Sequence, residues 1–175
     1  MTDIARFEAL VLPHLDAAYN LARWLTRDPN DAEDVVQEAC VRALRYLASL
    51  RDGEGRAWFL TIVRHASYDW LGRHRDRGDG AALADVAGDA DAEPPQCAER
   101  RCDSRALAQA IGALALPYRE VIVLRELEEL SYKEIATIAD IPVGTVMSRL
   151  ARARALLRRS PALHAIGVHR AGGEP

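Results

Sequence analysis

The sequence predicts an all-α fold in two small domains. Apolar residues recur at three- and four-residue spacings along most of the chain, as amphipathic helices require. Runs of period two rich in β-branched and aromatic residues are missing, and only 2 Phe and 5 Tyr occur in 175 residues. One internal stretch, GDGAALADVAGDADAEPP, holds 5 acids, 3 Gly and 2 Pro with no Lys or Arg, and it interrupts the helical pattern. It reads as a flexible acidic linker over 78–103 between domains at 1–77 and 104–160, with a loose tail over 161–175. A hydrophobic share of 49% gives each domain enough apolar surface for a core.

In the first domain, RFEALVLPHLDAAYNLARWLTR predicts a helix interrupted near Pro13, and RDPND then breaks the chain. DAEDVVQEACVRALRYLASL puts Ala32, Val35, Val36, Ala39, Ala43 and Leu47 on one side of a second helix, with Asp31 as its expected N-cap. The opposite side shows Asp34, Gln37, Glu38, Arg42 and Arg45. After RDGEG, a helix over 57–75 buries Phe59, Ile62, Val63, Ala66 and Trp70. In the second domain, ALAQAIGALALPYREVIVLRELEEL predicts two helices parted near Leu116 and Pro117.

Two further helices follow in SYKEIATIADIPVGTVMSRLARARALLRR. Ser131 and Glu134 have the spacing of a capping box, and Leu130 and Ile135 that of a hydrophobic staple. Ile141 precedes Pro142 and so leaves the helical region, which ends the first helix and starts the next. Val146, Leu150, Ala153 and Leu157 then mark the buried side, while Thr145, Ser148, Arg149 and Arg152 project outward. The unit is therefore expected to be a winged-helix-like, four-helix domain with a helix-turn-helix. Arginines read guanine edges, Thr145, Ser148 and the helix-terminal amides hold phosphate, and Gly144 allows close backbone approach.

Charge is unevenly distributed although the net charge is only −3. Residues 1–40 carry 8 acids against 3 Arg, and 131–159 carry 6 Lys or Arg against 2 acids. So small a basic surplus predicts weak DNA binding by the chain alone. A second cationic face lies on 57–75, where Thr61, Arg64, His65, Tyr68, Gly72 and Arg75 share a side and Arg73, His74 and Arg77 add charge nearby. Aromatic rings beside arginines are platforms for unpaired bases, and Tyr68 is the foremost candidate. Trp58 and Trp70 are read more readily as core, and Asp69 as the partner of a neighbouring arginine.

The N-terminus lacks a basic segment followed by an apolar core, and no run of about 18 apolar residues occurs, so a cytoplasmic location without membrane insertion is expected. Cys40, Cys97 and Cys102 form no disulfide framework, and Cys97 and Cys102 lack a nearby His for a metal site. No cofactor is expected.

Taken together, DAEDVVQEACVRAL, WFLTIVRHASYDWLGRHR and LPYREVIVLRELEELSYKEIATIADIPVGTVMSRLARARALL resemble bacterial RNA polymerase sigma factors of the extracytoplasmic-function type. The resemblance covers roughly residues 10–159. It implies that Asp34, Gln37, Glu38 and Arg42 dock on the clamp helices of the largest subunit of core RNA polymerase. It assigns Arg64, His65, Tyr68, Arg73 and Arg75 to the −10 promoter element, which this helix opens and reads. It assigns the segment with Pro142, Gly144, Thr145, Ser148, Arg149, Arg152 and Arg154 to the −35 element. An anti-sigma protein is implied as a further partner, and catalysis is left to the polymerase. His65 stands where asparagine is usual, Met147 where Arg or Lys is frequent, and Ala151 where a bulkier residue is frequent, so base preferences do not transfer. On the residues alone, a dimeric helix-turn-helix regulator acting without polymerase, a metal hydrolase and a protein adaptor remain alternatives.

Overall fold

The computed structural model describes residues 3–50, 55–75 and 95–164. Eight α-helices occur among them, with no strand: α1 (Asp3–Val11), α2 (Leu15–Thr26), α3 (Pro29–Tyr46), α4 (Gly55–Arg75), α5 (Pro95–Gly112), α6 (Leu116–Ile122), α7 (Tyr132–Ala139) and α8 (Val143–Arg158). The all-α expectation holds. The C-terminal unit takes a four-helix form from α5 to α8, and no β wing accompanies it among the described residues.

The N-terminal unit packs α2, α3 and α4 against one another, with α1 laid across α4. A 3-10 turn over Leu12–His14 separates α1 from α2, with Pro13 at its start, where a missing N–H costs no helical hydrogen bond. Leu21, Leu25, Ala32, Val35, Ala39, Ala43, Phe59 and Val63 form the buried core, matching the periodicity in the sequence. Three alanines on the inner side of α3 let its backbone approach its neighbours closely. Ser67, also on α4, is fully buried and satisfies its hydroxyl by donating to the Val63 carbonyl.

Several boundaries differ from those expected. The N-cap of α3 is Asp28, whose carboxylate accepts from the Asn30 and Asp31 N–H groups, with Pro29 opening the helix. Asp31 instead sits inside the first turn. The segment expected as linker up to residue 103 is already helical from Pro95, and Ser160 starts a short helical turn over 161–164 where a loose tail was expected. Residues 78–94 of the linker and 165–175 of the tail lie outside the described residues.

The helix-turn-helix is built as its sequence indicates. Ser131 Oγ accepts from the Glu134 N–H at 3.2 Å, and the Glu134 carboxylate accepts from the Ser131 N–H at 2.8 Å. Leu130 and Ile135 are both buried. Asp140 ends α7 in the left-handed region at φ 52°, a conformation that Asp tolerates better than most residues, and Pro142 caps α8. Before α7, a π-helical segment over Val123–Leu127 follows α6 directly. Val121, Ile122, Val123, Leu124, Val146, Leu150 and Ala153 fill the core of this unit.

The two units are not held apart as bodies on a tether. In this structure α7 packs on α4, and α6 packs on α2. The apolar core runs on through this junction.

Replacing Ser131 with Ala is expected to lower stability by about 1 kcal/mol, read as a lower urea midpoint at unchanged slope. Hydrogen bonds from Ser131 hold the Glu134 carboxyl below its ordinary range. Its contribution is present above the unfolded carboxylate pKa and fades as pH falls through the lower folded value. Glu134→Gln should accordingly remove part of the acid-side loss of stability.

Candidate nucleic-acid and polymerase interfaces

Helix α8 sorts its side chains into two classes. Val146, Leu150 and Ala153 are buried against the unit, whereas Pro142, Gly144, Ser148 and Arg152 are exposed and Thr145 and Arg149 are half-buried. The outward rim thus combines small polar groups near the N-terminus with guanidinium groups one and two turns later, a size and charge order that fits a major groove. Ser148 donates to the Thr145 carbonyl at 3.1 Å, which leaves its oxygen lone pairs outward. Nothing lies within 4 Å of where a Cβ on Gly144 would stand, so this tip is open to an approaching backbone. Arg154 is less free than its neighbours: it pairs with Glu126 of the π segment at 2.6 Å. Met147 is 53% exposed on the same helix and adds an apolar contact among the polar ones.

The expected polymerase-binding residues share one face of α3. Asp34, Gln37 and Glu38 are exposed, and Val41 and Leu44 beside them leave apolar surface uncovered at 44% and 51%. Arg42 is engaged internally: its Nε meets Glu38 at 2.8 Å and its Nη1 meets Asp69 of α4 at 2.6 Å. Both carboxylates raise its pKa further. Arg42 therefore straps α3 to α4 and fixes the direction in which the acidic face points; the expected pairing of Asp69 with an arginine is this one. A cleft of about 440 Å³ between the two helices, lined by Glu38, Arg42, Arg45, Tyr46, Ile62 and His65, joins the α3 face to the α4 face.

On α4 the residues expected at the −10 element divide. His65 and Arg73 are exposed, while the side chain of Arg75 lies outside the described residues. Arg64 and Tyr68 are turned into the junction between the units. Arg64 Nε donates to the fully buried Glu120 of α6 at 2.5 Å, and Tyr68 donates its hydroxyl to the other Glu120 oxygen at 3.2 Å. The Arg64 guanidinium lies 4.4 Å from the centre of the Tyr68 ring, a cation–π contact. Burial, followed by the adjacent Glu120 charge, pushes the Tyr68 phenol up to about 12. The ring expected to stack on a base is thus covered in this arrangement. Trp70, expected in the core, is half-buried and stacks on His74 with ring centres 3.9 Å apart.

Sequence reading missed Glu120, Glu128 and Arg119. The signal for Glu120 was present: Leu116, Glu120 and Leu124 follow one another at four-residue spacing, which places an acid in a buried stripe. Arg119 donates to the Gly112 carbonyl at 2.9 Å, but its Nε has no partner among the described atoms. Burial and then the nearby Arg27 charge lower its pKa to about 10. Elsewhere, Cys40 is a half-buried free thiol whose pKa burial raises, and Cys102 is free and exposed. No group of His, Cys, Asp and Glu suited to a metal occurs among the described residues, and none of their helices is long and apolar enough to cross a membrane.

A helix-turn-helix with a cationic outer rim, joined to a helical unit with a second cationic and aromatic face, defines a DNA-binding transcription protein. Residues 10–77 match the model of sigma-70 region 2, and residues 104–157 that of sigma-70 region 4. The chain is 36% identical over 162 residues to the RNA polymerase sigma-H factor of Pseudomonas aeruginosa, covering 87% of this chain and 84% of that protein. It is 34% identical over 161 residues to the ECF RNA polymerase sigma factor SigE of Mycolicibacterium smegmatis, covering 90% of this chain and spanning 62% of that protein. The solved sigma factor RpoE of Bartonella quintana, in complex with the anti-sigma factor NepR, superposes with a TM-score of 0.71 at 28% identity, over 87% of this chain and 94% of that one. CnrH, in complex with the cytosolic domain of CnrY, superposes with a TM-score of 0.62 at 28% identity, over 87% and 85%. The chain belongs to the sigma-70 family of RNA polymerase sigma factors, in its extracytoplasmic-function (ECF) group. A regulator acting without polymerase is not favoured.

Arg149→Ala is expected to reduce discrimination at one −35 position by about 1–3 kcal/mol, measured as binding of holoenzyme to a set of single-base promoter variants. A uniform loss across the set would assign Arg149 to phosphate.

Proposed function

We propose that the chain recruits core RNA polymerase through the acidic face of α3, holds the −35 element as duplex with α8, and helps open the −10 element with α4. The polymerase supplies the phosphoryl-transfer chemistry, and this chain supplies position and sequence preference. The observation that carries the reading is the two-sided character of α8 within its helix-turn-helix, in a chain whose other unit matches sigma-70 region 2.

Asp34, Gln37 and Glu38 give the polymerase an acidic surface with Val41 and Leu44 as apolar neighbours, a composition suited to a mixed docking interface. Arg42 contributes from the edge of that face, where its two carboxylates hold it. Thr145, Ser148 and the α8 N-terminus hold phosphate, and Arg149 and Arg152 face base edges, flanked by Pro142, Gly144 and Arg154. On α4, His65 and Arg73 are exposed for the non-template strand, and Arg64 and Tyr68 join them once uncovered. An anti-sigma protein that covers these surfaces is the regulator in this reading. The solved relative at a TM-score of 0.71, RpoE of Bartonella quintana, is in complex with the anti-sigma factor NepR.

The test is transcription by core polymerase plus this chain on a promoter library. Specific initiation above core alone is the expected result, and its absence would defeat the reading. Reversing the α3 charges with Asp34→Lys and Glu38→Lys together should abolish co-purification with core while leaving the folded chain's circular dichroism unchanged.

A further inference from the structure

Four residues apart on α8, Val143 and Met147 leave 39% and 53% of their surface to solvent. The core of the unit does not require them, because Val146, Leu150 and Ala153 supply its contacts from the same helix. Residues three and four apart on a helix are neighbours, so Met147 sits between Gly144 one turn before it and Ala151 one turn after. Both are exposed and carry almost no side chain. The helix surface around Met147 is therefore low, and an unbranched thioether stands above it. A low surface lets a helix sit deep in a groove, which a side chain shorter than arginine needs if it is to touch a base edge.

The chemistry of this place differs from that of the row beside it. Ser148, Arg149 and Arg152 offer donors to phosphate oxygens and to base acceptors. Met147 offers no donor, and its sulfur is only a weak acceptor. Set against a G·C pair it would take water from the guanine N7 and O6 and the cytosine amino group and return nothing, which costs more than a made hydrogen bond gains. The apolar group that a base presents in the major groove is the 5-methyl of thymine. Arg154, two turns beyond Met147 on the same flank, brings no donor to spare, since Glu126 holds its guanidinium at 2.6 Å. A protein partner that covered this apolar strip would also have to bury the neighbouring arginines, whereas DNA pairs them with phosphate.

We infer that Met147, with Val143 beside it, reads the methyl group of one thymine in the −35 duplex and makes this chain select a T·A pair at that position. This inference rests on the proposed −35 role of α8. It gives the apolar part of the α8 rim a task that its phosphate-holding and guanine-reading residues cannot perform.

The experiment uses holoenzyme assembled from the full chain and core polymerase. Binding selection from a promoter library randomised across the −35 element defines the preferred sequence, and fluorescence anisotropy then measures affinity for single-position variants of it. The expected result is a T·A preference at one position that falls by about fourfold when its thymine is replaced by deoxyuridine, which removes the methyl group and keeps the base pair. Met147→Ala should lose the same preference and be indifferent to that replacement, and Met147→Arg should turn the preference to G·C. The position is exposed, so both variants are expected to fold, and circular dichroism verifies it.

A selected element without a T·A preference, or a deoxyuridine scan of its thymines on both strands that leaves wild-type affinity unchanged, would overturn the inference. Weaker assembly of Met147→Ala with core, at unchanged base preference, would overturn it too and assign the strip to a protein contact. Arg152→Ala separates this inference from the reading beneath it. Weaker duplex binding by Arg152→Ala with no deoxyuridine effect overturns the thymine contact alone and leaves α8 on the −35 element; no change in either measurement defeats both.

Discussion

The Glu120 carboxylate, buried between α4 and α6 and bonded across that junction to Arg64 and Tyr68, is the interaction on which the arrangement of this molecule depends. Each unit has its own helical core, and neither core needs the other to explain its periodicity. The acid is different. It lies between Leu116 and Leu124 in an apolar stripe, and among the described residues its charge partner, Arg64, belongs to the opposite unit. Such a pair adds little net stability once desolvation is counted, but it discriminates sharply between the docked arrangement and any misdocked one. It also ties the exposure of the α4 face to the relative position of the units.

Charge distribution along the chain has the same logic on a larger scale. An acidic α3 face and two cationic helix faces nearly cancel, so the molecule has little general attraction for nucleic acid. In the proposed function, affinity for a promoter then comes from engaging several weak surfaces on one assembly, where the first contact raises the effective concentration of the next. Arg42 serves this scheme structurally: by bridging Glu38 and Asp69 it orients the α3 acids relative to the α4 cations across the cleft that holds His65.

Much of this was legible in the sequence because it is local. The stripes of α3, α4 and α8, the Ser131 and Glu134 capping box, and the corner at Pro142 follow from spacings of three or four residues and from proline sterics. The α3 start is ambiguous in the sequence because Asp28 and Asp31 are both good caps; Pro29 at the first helical position decides for Asp28. The start of α5 at Pro95 is not legible in the sequence because its first residues, PQCAERRCDSR, are polar and lack a clear apolar stripe. On α8, Ser148 and Arg152 are exposed as their spacing indicates while Thr145 and Arg149 are half-buried, and on α4 Arg64 and Tyr68 are turned into the junction. Their covering depends on one residue, Glu120, which is 56 and 52 positions away, a long-range pairing to which no local spacing points.

The account's central claim is that the buried Glu120 pair sets how the two units dock. A double-mutant cycle between Glu120 and Arg64, with urea unfolding of the full chain as the readout, tests it most directly. The account predicts a coupling energy of about 0.5–3 kcal/mol between the two positions. Additive losses in Glu120→Gln, Arg64→Gln and the double variant would contradict it.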